Sequence, residues 1–135
     1  MNSRGGEMSK HDLNNLSAAV IDSAIQVHRA LGPGLLESAY EACLAYELRK
    51  RALGVQSQVG LPVVYEEVKL EVGYRIDLLI ESQIIVELKA IASIAPIHEA
   101  QLLSYLKLSN LKIGLLLNFN VKMMKHGIKR IVNNL

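Results

Sequence analysis

Two apolar, β-branched runs, Tyr74 to Ile80 and Ile84 to Ala90, flank the polar triplet Glu81-Ser82-Gln83. Runs of that length around a short polar turn specify the two antiparallel strands of a hairpin, and the rest of the chain has to pack around them. With the turn centred near Ser82, the numbers of pairing residues add to about 164, which sets Asp77 opposite Glu87 and Arg75 opposite Lys89. Side chains alternate along a strand. Arg75, Asp77 and Leu79 therefore share a face with Ile85, Glu87 and Lys89, while Ile76, Leu78, Val86 and Leu88 face the other way. Both faces are largely apolar, with one charged corner.

Directly opposed side chains have Cβ atoms about 4.5 to 5.5 Å apart, where like charges are destabilising unless something compensates. A cation would compensate Asp77 and Glu87. Mg²⁺ commonly binds through one or two carboxylates and keeps its remaining positions for water and phosphate oxygens. Lys89, one pleat further along, is spaced to stabilise charge on a phosphorane or to orient an attacking water. The same four residues also spell a plain ion network, Asp77 and Glu87 with Arg75 and Lys89, and spacing alone does not separate the two readings.

Asp77 followed by Glu87-Leu88-Lys89 resembles the PD-(D/E)xK nuclease signature. Gln101-Leu102-Leu103-Ser104-Tyr105 resembles the QxxxY helix motif of RecB-type exonuclease domains, and Gly34-Leu35-Leu36-Glu37-Ser38-Ala39-Tyr40 spells GxxExxY, the naming motif of a small bacterial family placed in the same superfamily. The resemblance spans about residues 12 to 133, with the motifs in the expected order. Ile76 stands where the signature often has proline, a position that supplies no ligand side chain. The resemblance implies a restriction-endonuclease-like core and a hydrolase cutting phosphodiester bonds of DNA. It implies Mg²⁺ or Mn²⁺ held by Asp77 and Glu87 with Glu37 as a further ligand, Lys89 assisting water attack and Gln101 orienting. Its motifs also nominate Tyr105 and Tyr40 for substrate binding, to which Arg75 on the hairpin face and His28 at a helix end, with a packed or surface histidine as the alternative, are added as candidates. Nucleic acid is the implied partner, and a homo-oligomer is compatible with it. The alternative is a non-catalytic module that keeps the nuclease fold and binds nucleic acid or another protein.

The remaining segments build the frame. Residues 1–11 are polar and glycine-containing and are expected to be disordered, leaving residues 12–135 as a single domain. Leu13, Leu16, Val20, Ala24, Val27 and Leu31 recur at helical spacing behind Asp12, a suitable N-cap. His28 falls near the C-terminal end of that helix, where a protonated imidazole is favoured. Gly32-Pro33-Gly34 breaks it, and a second helix of about residues 35–52 sets Glu37 and Tyr40 on one face. Residues 55–67 read as a strand bordering the hairpin, with Pro62 marking an edge or bulge, and the charges from Glu66 to Glu71 as a solvated turn. A helix of about residues 97–108 aligns His98, Gln101 and Tyr105, and strands follow near 112–119 and 129–132. These elements give an α/β domain with a mixed central sheet flanked by helices.

A chain of 135 residues, 50% apolar, supports one core. Its net charge of +2 suits nucleic acid contact but is far from that of a passive polycation. The late basic group Lys122, Lys125, His126, Lys129 and Arg130 reads as a solvated face able to grip phosphates. One cysteine, Cys43, allows no intrachain disulfide, and no apolar run reaches membrane-spanning length, so a soluble, cytoplasmic protein with no membrane partner is expected. Zinc spacings, a P-loop and a dinucleotide fingerprint are all missing from the sequence.

Overall fold

The computed structural model of the chain describes residues 7–135, so the expected disorder of the first residues lies partly outside the described ones. Helix α1, Lys10–Leu31, begins three residues earlier than an N-cap at Asp12 would set it. The reason is Ser9, whose Oγ accepts from the Asp12 N–H at 3.0 Å, so that Ser9 is the N-cap and Asp12 lies in the first turn. The helix ends at Gly32, and the following turn uses positive φ at both Gly32 (+71°) and Gly34 (+99°). Helix α2, Glu37–Lys50, then starts with Glu37 in its first turn.

Five strands form the main sheet: β1 (Val55–Gly60), β4 (Arg75–Ile80), β5 (Ile84–Lys89), β6 (Ile113–Asn118) and β7 (Ile128–Val132), in the order β1-β4-β5-β6-β7. Helix α3, Pro96–Ser109, connects β5 to β6, the one parallel pair, because parallel neighbours need a crossover. All other neighbours are antiparallel, so the sheet is mixed, as expected. The strand read over 55–67 is divided. Pro62 has no N–H for a ladder, and beyond it the chain leaves the sheet to form a two-stranded ribbon of β2 (Val63–Tyr65) and β3 (Val68–Leu70), turned at Glu66 with φ +51°. The charged stretch read as a turn therefore contains half of this ribbon.

Two apolar clusters sandwich the sheet. On one side Leu16, Val20 and Ala24 of α1 and Leu44 and Leu48 of α2 bury Leu78, Val86, Leu88, Leu115 and Leu117. On the other, Leu102, Tyr105 and Leu106 of α3 bury Ile76, Ile85 and Leu116. Ile76 and Leu78 thus join opposite clusters, contrary to simple alternation. The β1–β4 ladder supplies the reason. It runs from Val55↔Ile80 to Ser57↔Leu78, skips Gln58 and Asp77, and resumes at Val59↔Ile76. Gln58 has φ +53°, and across it Val55 packs with the first cluster and Val59 with the second. Asp77 sits at this change of face.

Helix α3 crosses β6 closely at Gly114, where an added Cβ would come within 2.8 Å of Leu102 Cγ. Leu102 is 1% exposed and has no room to retreat, so Gly114→Ala is expected to cost about 1 to 3 kcal/mol, as overpacking does. Chemical denaturation checks this; an unchanged midpoint would mean that α3 rides further from the sheet than the structure has it. No helix among the described residues is long and apolar enough to cross a membrane.

Candidate active site

The β4–β5 ladder pairs Ile80↔Ile84, Leu79↔Ile85 and Leu78↔Val86, numbers that add to 164, and then stops. One step further, carboxylates take the place of backbone acceptors. The Asp77 N–H donates to Glu87 Oε2 at 2.8 Å, and the Leu88 N–H donates to Asp77 Oδ2 at 3.0 Å. Each acid satisfies a donor that the parting strands would otherwise leave without a partner. The consequence is two carboxylates fixed side by side.

Glu87 is only 5% exposed, and its pKa is raised from an ordinary 4.5 to about 8. Burial is the largest cause and the Asp77 charge the next; the Asp77 N–H and Lys89 pull the other way, and Glu41 adds to the rise. A buried acid beside a second acid is what a hard divalent cation would relieve, and the donor set is all oxygen, as Mg²⁺ and Mn²⁺ prefer. Among the described residues no three His, Cys, Asp or Glu side chains gather as a complete cage. The residues therefore fit a cation held by two carboxylates with water and substrate filling the rest, the usual arrangement for Mg²⁺.

Helix α2 brings two more acids to this corner. Glu37 Oε2 accepts from the Ala90 N–H at 3.4 Å, just beyond Lys89. Glu41, one turn on, is tied to Asp77 through Gln58, whose Nε2 donates to Glu41 Oε1 at 3.0 Å and to Asp77 Oδ1 at 3.3 Å. Burial raises the Glu41 pKa, the Gln58 bond lowers it, and the Asp77 and Glu37 charges raise it again. Glu41 and Gln58 were missed from sequence. The four-residue step from Glu37 to Glu41 could have found the first; the second depends on the positive φ of Gln58, which has no sequence signature.

Helix α3 supplies the other wall. Gln101 is exposed, and with Lys89, His98, Ser104 and Tyr105 it lines a cavity of about 570 Å³. Burial raises the pKa of the Tyr105 hydroxyl, and the nearby Glu87 charge adds to it. Behind Lys89, the buried Asn118 accepts from the Ile91 N–H at 3.1 Å and donates to the Ile91 carbonyl at 3.0 Å, fixing the chain where it leaves β5.

Three expected substrate contacts lie elsewhere. Tyr40 is fully buried, its hydroxyl donating to the Gly32 carbonyl at 2.6 Å and accepting from the Leu35 N–H at 3.0 Å while its ring stacks on Phe119 at 4.5 Å. It locks the turn before α2 and exposes no atom to a substrate. His28 is 6% exposed with Nε2 bonded to the Val121 carbonyl at 2.7 Å, so it anchors the chain after β6. Arg75 pairs across β1 with Gly60 rather than facing Lys89, because the β4–β5 ladder has already opened, and it lines a separate cleft with Pro62 and Glu71. Of the late basic residues, Lys122 and Lys125 line a pocket beside His28, Lys129 approaches Glu99 at 3.9 Å and Arg130 bonds Asn14 at 2.6 Å.

A family model for the PD-(D/E)XK nuclease superfamily matches residues 14–131, from α1 to β7. The chain belongs to the PD-(D/E)XK nuclease superfamily. A search of curated proteins and a search of solved structures return no match. Membership agrees with the mixed sheet flanked by helices. It points to a metal-dependent nuclease, a hydrolase of nucleic acid, in a superfamily that typically uses divalent metal ions.

Proposed function

We propose that this PD-(D/E)XK protein hydrolyses phosphodiester bonds of DNA, with Mg²⁺ or Mn²⁺ held by Asp77 and Glu87 and with Glu37 as a further ligand acting through a metal-bound water. The observation that carries the reading is the opened ladder, where the buried Glu87 and Asp77 are fixed side by side within reach of the Lys89 charge. A bound divalent cation would polarise the phosphate and lower the pKa of an attacking water. Lys89 reaches the same corner from the end of β5, where its ammonium stabilises charge as it builds on the phosphate oxygens. The Gln101 amide offers a donor and an acceptor for orienting the phosphate or the water, and the Tyr105 hydroxyl a further polar contact to substrate. Glu41 and Gln58 hold Asp77 in position. Within the GxxExxY run the division of labour is unequal. Gly34 and Tyr40 shape the entry to α2, and Glu37 is the residue that reaches β5.

The test is incubation of the full chain with circular and linear, single- and double-stranded DNA and with RNA, in Mg²⁺, Mn²⁺ or chelator. Cleavage of DNA that requires metal is the expected result. Protein that binds nucleic acid equally well in chelator and cuts nothing with either metal would establish the non-catalytic module instead.

A further inference from the structure

The cavity on the α3 side of Lys89 has walls unlike those of a phosphate groove. Val63, Tyr74, Ile97, Tyr105 and Leu108 make up most of it, and Lys89 is the sole Lys or Arg among its lining residues. Binding along a charged backbone rests on several cations, and here one is present. The polar groups are few, His98, Gln101 and Ser104, and the His98 ring is held in place because a ring nitrogen accepts from the Ala95 N–H at 2.9 Å. A concave, mostly apolar site with a few fixed polar groups suits a planar, uncharged, hydrogen-bonding ligand.

Tyr74 identifies which one. It lies immediately before β4, tilted 57° against Tyr105 with ring centroids 6.2 Å apart, and remains 45% exposed. A tyrosine that serves the core would be covered, and this one is available to a second ring. Lys89 joins the cavity to the acidic corner, since it lines the one and ends β5 two residues beyond Glu87 in the other.

We propose that this cavity is a nucleobase subsite, in which Tyr74 stacks the base next to the phosphate held at Lys89, and that the substrate is accordingly single-stranded DNA. The neighbouring phosphate rests on the nuclease reading; the stacking does not. A base inside a duplex is already paired and stacked on both sides, so it enters such a cavity only after strand separation. Aromatic stacking tolerates any base, which makes the expected binding insensitive to sequence.

Fluorescence anisotropy with a labelled oligothymidine in chelator, where nothing is cut, tests the subsite. Tyr74→Ala is expected to weaken binding about tenfold, within the range that one lost base stack gives, while Tyr74→Phe binds as wild type. An abasic oligomer of the same length should bind wild type and Tyr74→Ala equally, and a matching duplex should bind more weakly than the single strand. Should Tyr74→Ala melt early, Tyr74→Leu keeps apolar bulk without a ring and must show the same loss. Tyr74→Ala binding like wild type, an equal loss on the abasic oligomer, or no binding of single strands at all overturns the subsite. A Tyr74-dependent affinity with no metal-dependent cleavage sinks the nuclease and leaves the subsite. Cleavage of duplex and single strand alike, indifferent to Tyr74, does the reverse.

Discussion

Lys89→Ala is expected to lower cleavage by at least about 10²-fold and to leave the fold intact, whereas Asp77→Asn abolishes cleavage through the metal. Lys89 belongs to neither apolar cluster, and what it gives the fold is its backbone carbonyl, which accepts from the Phe119 N–H at 2.9 Å. That bond survives truncation, so the change removes a transition-state contact and little else. Asp77 differs because its two oxygens accept from Leu88 and Gln58 at 3.0 and 3.3 Å. An asparagine has one acceptor oxygen, and its NH₂ would face one of these donors. That loss opposes the relief of the Asp77–Glu87 repulsion, so metal-free stability changes little. The two variants separate in a thermal shift titrated with Mn²⁺. Stabilisation by metal is kept in Lys89→Ala and reduced in Asp77→Asn. A Lys89→Ala enzyme that cuts at the wild-type rate would remove the lysine from the chemistry, and an undiminished metal shift in Asp77→Asn would put the cation elsewhere.

Why the hairpin could be read from sequence and its open end could not is a matter of range. Tyr74 to Ala90 carries its own turn and pattern, so the register of β4 on β5 follows from local information. The helices were legible for the same reason, with errors of one to three residues wherever a cap decided the boundary, as Ser9 did for α1. The opening of the ladder at Asp77 depends on β1, whose Gln58 adopts a left-handed conformation and shifts the facing of both strands. That is a tertiary property, and it also explains why Ile76 and Leu78 part company. Tyr40 and His28 misled for a related reason. His28 lies near a helix end and Tyr40 closes the GxxExxY run, placements that suggest a ligand contact, yet each satisfies its polar atom on the backbone of a neighbouring turn. Whether such an atom faces a substrate or a carbonyl is set by packing at a distance. Glu41 is the opposite case, since its helical step from Glu37 was visible and only its partner Gln58 was not.

The acid at Glu87 makes metal binding and stability depend on pH in opposite senses. Its folded pKa of about 8 lies above the ordinary 4.5, so between those values the folded protein holds a proton that the unfolded chain has released. Stability of the metal-free protein therefore falls as pH rises through this window and levels off above about 8, a contribution on the order of 5 kcal/mol at most. Burial accounts for the largest part of the rise, the Asp77 and Glu41 charges add to it, and the Asp77 N–H and Lys89 oppose it. A cation competes with the same proton. Its apparent affinity should rise by up to roughly tenfold per pH unit below 8 and become flat above, because only the ionised carboxylate is a ligand. Melting curves at several pH values from 6 to about 9, with chelator and with Mg²⁺, should thus diverge as pH increases. Glu87→Gln carries no ionisable group there, and in it the metal-free decline should shrink and the divergence disappear. A metal-free decline of the same size in Glu87→Gln would assign the pH dependence to other residues and leave Glu87 ionised at neutral pH.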